Sequence, residues 1–348
     1  MVTKKQNKKR DHNLKLLVLA RRYNPRQSCA IGGVVVSSEN LLSYLKARKV
    51  NFYCVDTNKT KYRFRGAACV KILVELMLQI KKHDHLALNL NEKELLAIAP
   101  IAALGAWFFK KPVSLRVFGG NLDQFAAKNF FRKIIFFVLF RNLDILFLQT
   151  KNLVVAFSGR TNTVHLPTCR YGHGSRNKTY AGQFVFVGQI KKSKGVGVIL
   201  EALEYTQNIH VDFYGPLQDF SEDQLNTQNS AYKGLAKKEE VPAILGAYDF
   251  LLLPTFHEGE GYPGVILESY SAGRPVITTN WRSIPEIVDD GKSGFLLAPG
   301  DALGLAAVLN SIDQGIHIKM MSYARQKFSE FDCEEIYAKY LKKIEETL

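Results

Sequence analysis

Apolar and polar residues follow one another in blocks that set a regular rhythm. Leu14–Ala20 (LKLLVLA) is a short apolar run of the kind that forms a buried strand. A loop ending in Ile31-Gly32-Gly33 follows. Val34 to Arg48 then carries Val35, Leu41, Leu42 and Leu45 at helical spacing, and Val50–Val55 (VNFYCV) predicts the next strand. Strand, Gly-rich loop, helix and strand make a βαβ unit. The rhythm continues with a helix over Lys71–Ile80, a strand over Leu86–Leu90, a helix over Glu94–Phe109 and a strand over Val113–Phe118 closed by Gly119-Gly120-Asn121. Asn129–Arg141 (NFFRKIIFFVLFR) has a helical period, and Leu143–Gln149 and Thr163–Leu166 predict two further strands.

Pro167 to Gly182 interrupts this pattern with a polar, aperiodic segment, which reads as a linker. Beyond it the alternation restarts. Strands are expected at Phe184–Val187, Val211–Tyr214, Phe250–Pro254, Val276–Thr279 and Phe295–Leu297. Between the first four lie helices at Val196–Tyr205, Val241–Tyr248 and Val265–Ala272. Residues 301–313 and 317–346 predict terminal helices. Such alternation means parallel sheets covered on both faces, with ligands bound beyond the carboxyl ends of the strands. Gly188, Gly215, Glu260 and Asn280 each follow a strand directly, so they are expected to converge at one edge.

Length and charge sharpen the picture. A chain of 348 residues exceeds one compact core and suits two domains. The net charge of +15 is divided unevenly: residues 1–170 hold 30 Lys+Arg against 9 Asp+Glu, and residues 171–348 hold 17 against 23. The first half is therefore expected to face an anionic surface or substrate. Residues 1–13 form a basic tail, read either as a solvated end or as a tether to anionic lipid. Asn129–Arg141 also has two readings, a core helix with snorkelling cations or a helix lying in a membrane interface. Nucleic-acid binding is disfavoured, because the basic half has no recognition motif.

No signal peptide is expected, since the Leu14–Ala20 run is too short and Arg21-Arg22 follows it. The longest uncharged run, Leu95 to Phe109, has 15 residues, short of a membrane span. The scattered Cys29, Cys54, Cys69, Cys169 and Cys333 read as reduced core thiols of a cytoplasmic protein, and Asn177-Lys178-Thr179 as an unused sequon. His83-Asp84-His85 reads as a polar turn rather than a metal cluster, with no third ligand nearby in sequence.

The chemistry concentrates in Phe256 to Pro299 (FHEGEGYPGVILESYSAGRPVITTNWRSIPEIVDDGKSGFLLAP). A Gly-rich turn lets backbone approach a ligand, and the helix start behind it suits a phosphate. Glu260 can accept from hydroxyls, and Glu268, inside the helix, from a vicinal diol such as a ribose. With 18 Glu in the chain, that spacing alone is close to chance. Upstream, Lys194-Gly195 places a cation at a helix start.

Together these residues resemble the GT4-type retaining glycosyltransferases, of the glycosyl transferases group 1 and the GT-B fold. Glu260-Gly261-Tyr262-Pro263 with Glu268 reproduces that family's E-x7-E element. The resemblance extends through Ala272-Gly273-Arg274-Pro275-Val276-Ile277, Ile284-Pro285-Glu286-Ile287-Val288, Gly294 and Pro299-Gly300-Asp301, and upstream through Phe186-Val187-Gly188 with Lys194-Gly195. It covers about residues 183–302 and is thin in the first half.

The resemblance implies an α/β GT-B architecture, two Rossmann-like doubly wound domains facing across a cleft. The expected parts are an acceptor domain at 14–170, a linker at 171–182, a nucleotide-sugar donor domain at 183–325 and a C-terminal helix at 326–348 packing back on the first domain. It implies Lys194 on the donor diphosphate, with Gly32, Gly33, Gly188 and the residue at Gln189 beside it. Glu260, Gly261, Tyr262, Pro263 and Gly264 would face the sugar, Glu268 the ribose, and Gly234 and Leu235 the base. Glu260 and Lys194 are the catalytic candidates.

Two positions depart from the family, Gln189 where Arg is common and Phe118 near where a His often stands. The implied activity is retaining transfer from a UDP- or GDP-sugar to a lipid-linked or polysaccharide acceptor. The expected setting is lipopolysaccharide O-antigen or capsule assembly, on the inner face of the cytoplasmic membrane. No metal or other cofactor is expected, since no D-x-D occurs. The alternative is a catalytically silent GT-B binding or scaffold protein.

Overall fold

The computed structural model describes residues 14–25, 32–61, 65–159, 162–174 and 179–348. The basic tail 1–13, Cys29, Ile31 and the sequon residues Asn177 and Lys178 lie outside the described residues. Two six-stranded parallel sheets form the frame. The first comprises β1 (Lys15–Ala20), β2 (Asn51–Asp56), β3 (His85–Asn91), β4 (Val113–Phe118), β5 (Ile145–Leu148) and β6 (Thr163–His165), in the order β2-β1-β3-β4-β5-β6. The second comprises β7 (Gln183–Val187), β8 (His210–Tyr214), β9 (Ser230–Tyr232), β10 (Phe250–Leu253), β11 (Val276–Thr279) and β12 (Gly294–Leu297), in the order β12-β11-β10-β7-β8-β9. The central strands β4, β5, β10 and β11 are buried along their whole length, which is why they read as unbroken apolar runs.

Strand order reverses between β1 and β3 in the first sheet and between β7 and β10 in the second. Crevices outside such reversal points are where open α/β sheets bind ligands. The loops that leave β1, β7 and β10 carry Gly32-Gly33, Lys194 and Glu260.

Three features depart from the sequence expectation. Short helices at Leu122–Ala127 and Lys151–Phe157 are too brief to show a period. The edge strand β9 has three residues and only one buried position. The single helix expected over 317–346 is two helices, Gln314–Phe328 and Cys333–Glu345, parted at Ser329–Asp332. At that break the chain returns to the first domain. Arg170 N donates to Phe331 O and Cys333 N donates to Arg170 O, each at 3.0 Å, so the two crossing segments bond to each other. The Asp332 side chain caps the last helix through Glu334 N.

That helix is part of the first domain's core. Cys333, Ile336, Tyr337, Tyr340 and Ile344 share one apolar cluster with Leu16, Val18, Leu41, Leu45 and Phe147. Tyr337 Oη donates to Ser37 O at 2.9 Å. The His85 ring lies between Thr347 Oγ1 (3.0 Å) and Ser114 Oγ (2.9 Å), tying the chain's end to β3 and β4. Four cysteines lie among the described residues and are free thiols; Cys169 Sγ and Cys333 Sγ approach to 3.1 Å at the crossing.

The helix Phe130–Arg141 buries one face and exposes the other. Phe136, Leu139 and Phe140 enter the core, while Phe130, Phe131, Ile134, Phe137 and Val138 are exposed. The helix Glu92–Phe108 packs alongside it, the helix Arg65–Ile80 packs against Glu92–Phe108, and both likewise leave apolar residues outward, among them Val70, Val74, Leu78, Leu104, Trp107 and Phe108.

Candidate functional site

Loops from both reversal points open into one cleft of about 1130 Å3 between the domains. Its wall contains Gly32 and Gly33 from the first domain, and Gly188, Gln189, Lys194, Leu235, Glu260, Gly261, Tyr262, Pro263, Gly264 and Glu268 from the second. The fold thus collects residues that the sequence spreads over more than two hundred positions. Gly234 is the exception. It turns the chain behind Leu235, with its carbonyl bonded to Gly215 N at 2.9 Å, and is not part of the wall. Phe118 and Gln189, the two departures from the family pattern, both face the cleft.

The cleft's charges are paired. Lys194 Nζ lies 2.5 Å from Glu260 Oε2, and Thr255 Oγ1 donates to the same oxygen at 3.0 Å. Glu260 is buried at the end of the turn, so the lysine offsets the cost of holding a carboxylate out of water. His257 stands beside the pair; burial, and then the Lys194 charge, push its pKa down and favour the neutral ring. Glu268 Oε1 accepts from Arg170 Nε at 2.6 Å, and both side chains are largely buried. Lys238, in the same wall, has its pKa lowered by burial and by the Arg170 charge. A phosphate would suit these cations and the helix start at Gly264, and a diol would suit Glu268 four residues further along.

The two domains touch through glycine. A Cβ on Gly120 would lie 2.5 Å from Glu260 O and 2.9 Å from Gly261 Cα, so only glycine lets the first domain's turn reach the second's. Around this contact Asn121 Nδ2 donates to Glu258 O at 2.7 Å. Gln149 Nε2 donates to Tyr262 O at 3.3 Å and to Thr168 Oγ1 at 2.6 Å, while Gly119 N donates to Gln149 Oε1 at 3.2 Å.

Glu286 completes the junction. Its carboxylate accepts from Lys151 N (2.6 Å) and Asn152 N (3.3 Å) at the start of the helix Lys151–Phe157, and from Tyr262 Oη at 2.6 Å. One carboxylate therefore caps a helix of the first domain and fixes the aromatic residue of the Gly-rich turn in the second.

Sequence reasoning missed Arg170, Gln149, Lys238 and His257. They lie in aperiodic loops or at strand ends, where residue type carries no signal of position. Glu286 lay inside the Ile284–Val288 segment, so its presence was legible although its partners were not. His83, Asp84 and His85 have structural partners: Gln79 O for His83, Lys15 N for Asp84, and Ser114 and Thr347 for His85. Among the described residues no group of three or more His, Cys, Asp or Glu could hold a metal ion.

Two parallel-sheet domains facing across a cleft, with the last helix returning to the first domain, define the GT-B class. Residues 181–313, in the second domain, match the family described as glycosyl transferases group 1. Over 174 residues it is 29% identical to a glycogen synthase of Mycobacterium tuberculosis, covering 46% of this chain and 42% of that protein. Over 143 residues it is 32% identical to the amylovoran biosynthesis glycosyltransferase AmsK of Erwinia amylovora, covering 37% of this chain and 35% of that one. The matched segment thus spans less than half the length of these relatives. The fold similarity is wider. The crystal structure of Anabaena Alr3699/HepE in complex with UDP and glucose superposes with a TM-score of 0.70 over 95% of this chain and 99% of that one, at 14% identity.

Proposed function

We propose that the chain is a retaining glycosyltransferase that moves a sugar from a UDP- or GDP-sugar to a lipid-linked or polysaccharide acceptor in cell-surface glycan assembly. The observation that carries this reading is the convergence of Gly32-Gly33, Lys194, Glu260 and Glu268 on one cleft at the reversal points of both sheets. Lys194 and the helix start at Gly264 would hold the diphosphate and stabilise the charge that grows on it as the anomeric bond breaks. Glu260 would position the sugar. The acceptor hydroxyl would attack from the leaving-group face, which retains configuration. Orientation and electrostatics would supply the catalysis, with no metal required. Polysaccharide-assembly relatives such as AmsK, and the UDP held by the fold neighbour, favour this donor and pathway class.

The acceptor side rests on the first domain. Three adjacent helices turn apolar residues outward there, with Lys71, Lys81, Lys82, Lys110, Lys128, Lys133 and Arg141 exposed on or beside them. Large exposed apolar patches ringed by cations fit an anionic lipid surface, which would place the acceptor's membrane anchor beside the acceptor domain at the inner face of the cytoplasmic membrane.

The test is a melting-temperature series with UDP-, GDP-, ADP- and TDP-sugars, followed by a transfer assay with the donor that binds. One donor should raise the melting point by mass action, by about 2.7 kcal/mol of added stability at a hundredfold excess over Kd. Lys194→Ala should remove both that stabilisation and transfer. Donor binding without transfer or hydrolysis would favour the silent scaffold instead, and no response to any donor would refute the reading.

A further inference from the structure

If the cleft holds a nucleotide-diphosphate sugar, as proposed above, the diphosphate beside Lys194 calls for a second cation. A diphosphate taken out of water needs more than one cation. Lys194 supplies one. The family's usual Arg is absent, because Gln189 stands in its place in the cleft wall. Arg170 lines the same wall and is buried to all but 5% of its surface.

Each edge of its guanidinium has a defined environment. Nε donates to Glu268 Oε1 at 2.6 Å, and Nη1 donates to the Cys169 carbonyl at 2.9 Å. Nη2 makes no hydrogen bond to the described residues, and it lies against Gly264, where an added Cβ would collide with it. Gly264 is the first residue of the helix Gly264–Ser271, whose opening N–H groups have no partner within the helix. A nearly buried guanidinium edge without a protein acceptor thus lies over a helix start, in the wall of an open cleft. A planar guanidinium can serve a carboxylate with one edge and a phosphate oxygen with another.

We propose that Arg170 is the second diphosphate ligand of this chain, taking the charge role that Gln189 cannot fill; the assignment rests on the donor-site reading of the cleft. Nη2 donates to a phosphate oxygen above Gly264 while Nε stays on Glu268 and turns that carboxylate toward the ribose. The ligand class is a nucleoside diphosphate or its sugar ester. The cation comes from the segment that joins the domains, so one residue bonds the crossing chain to Phe331 and Cys333 through its backbone and senses nucleotide through its side chain.

The experiment is calorimetric titration of the full chain with UDP, GDP and their parent nucleosides, for the wild type, Arg170→Gln, Arg170→Lys and Arg170→Gln with Gln189→Arg. Circular dichroism checks each fold. Losing one charge-assisted bond should weaken diphosphate binding roughly 10- to 100-fold, with the nucleoside changed far less. Arg170→Lys keeps the charge, folds if the Gln variant does not, and should show a smaller but still diphosphate-selective loss. Gln189→Arg should recover most of the affinity lost in Arg170→Gln. Equal loss for diphosphate and nucleoside, or no recovery with Gln189→Arg, would overturn the assignment and leave Arg170 as a domain tie. A wild type that binds no nucleotide at all would refute the donor site itself, a separate result from either.

Discussion

A single buried histidine makes a pH-dependent contribution to this fold. His85 opens β3 with both ring nitrogens engaged by hydroxyls, and burial pushes its pKa from 6.5 down to about 3. The folded state therefore holds the ring neutral where the unfolded chain would already protonate it. Its share of stability is complete above about pH 6.5 and is lost as pH falls toward 3, at up to about 1.4 kcal/mol per pH unit. Urea unfolding between pH 7 and 4 should show this slope, and His85→Gln should flatten it. Some slope should persist, because burial also lowers His165 and His257. At this scale the sequence was ambiguous. His83-Asp84-His85 looks like a ligand cluster, and only the returning C-terminal segment, with Thr347, shows what His85 bonds to.

Elements, rather than residues, carry the junction between domains. The short turn Ile284–Glu286 reaches across to cap the helix Lys151–Phe157 and hold Tyr262. Removing a half-buried carboxylate that accepts from three donors strands all of them. Glu286→Ala should cost about 1–3 kcal/mol in chemical denaturation and displace the Gly-rich turn. Tyr262→Phe removes one bond and should cost about 1 kcal/mol. A double-mutant cycle should give a coupling above about 0.5 kcal/mol between the two positions. Additive losses would mean that Glu286 acts on the helix cap alone.

The whole molecule is electrically and chemically lopsided. The first domain combines most of the positive charge with an outward apolar layer on the helices Arg65–Ile80, Glu92–Phe108 and Phe130–Arg141. Phe130 and Phe131 are 72% and 78% exposed, so replacing them contributes little to folding and much to any surface they meet. Phe130→Ser with Phe131→Ser and Phe137→Ser should leave the melting point within a few degrees of the wild type. The same variant should lose most of its cosedimentation with phosphatidylglycerol vesicles. Wild-type binding should weaken between 0.05 and 0.5 M salt as screening shortens the reach of the lysines (to roughly 3–10 Å at 0.1–1 M). Equal binding to neutral phosphatidylcholine vesicles would count against an anionic partner.

The sequence by itself determined the two-sheet α/β class and the strands at the centre of each sheet. Those features are local: a buried parallel strand must be apolar throughout. Only the tertiary structure decided which charges meet. Arg170 reaches Glu268 across 98 positions of sequence, and Glu286 reaches Lys151 across 135, because folded sheets bring their strand ends together whatever the chain distance. The same folding parted the last helix at Ser329–Asp332, where a tight turn followed by the extended residue Asp332 crosses back to the first domain and bonds to Arg170. No periodicity in residues 317–346 marks that need, since both halves are amphipathic and only their partners differ.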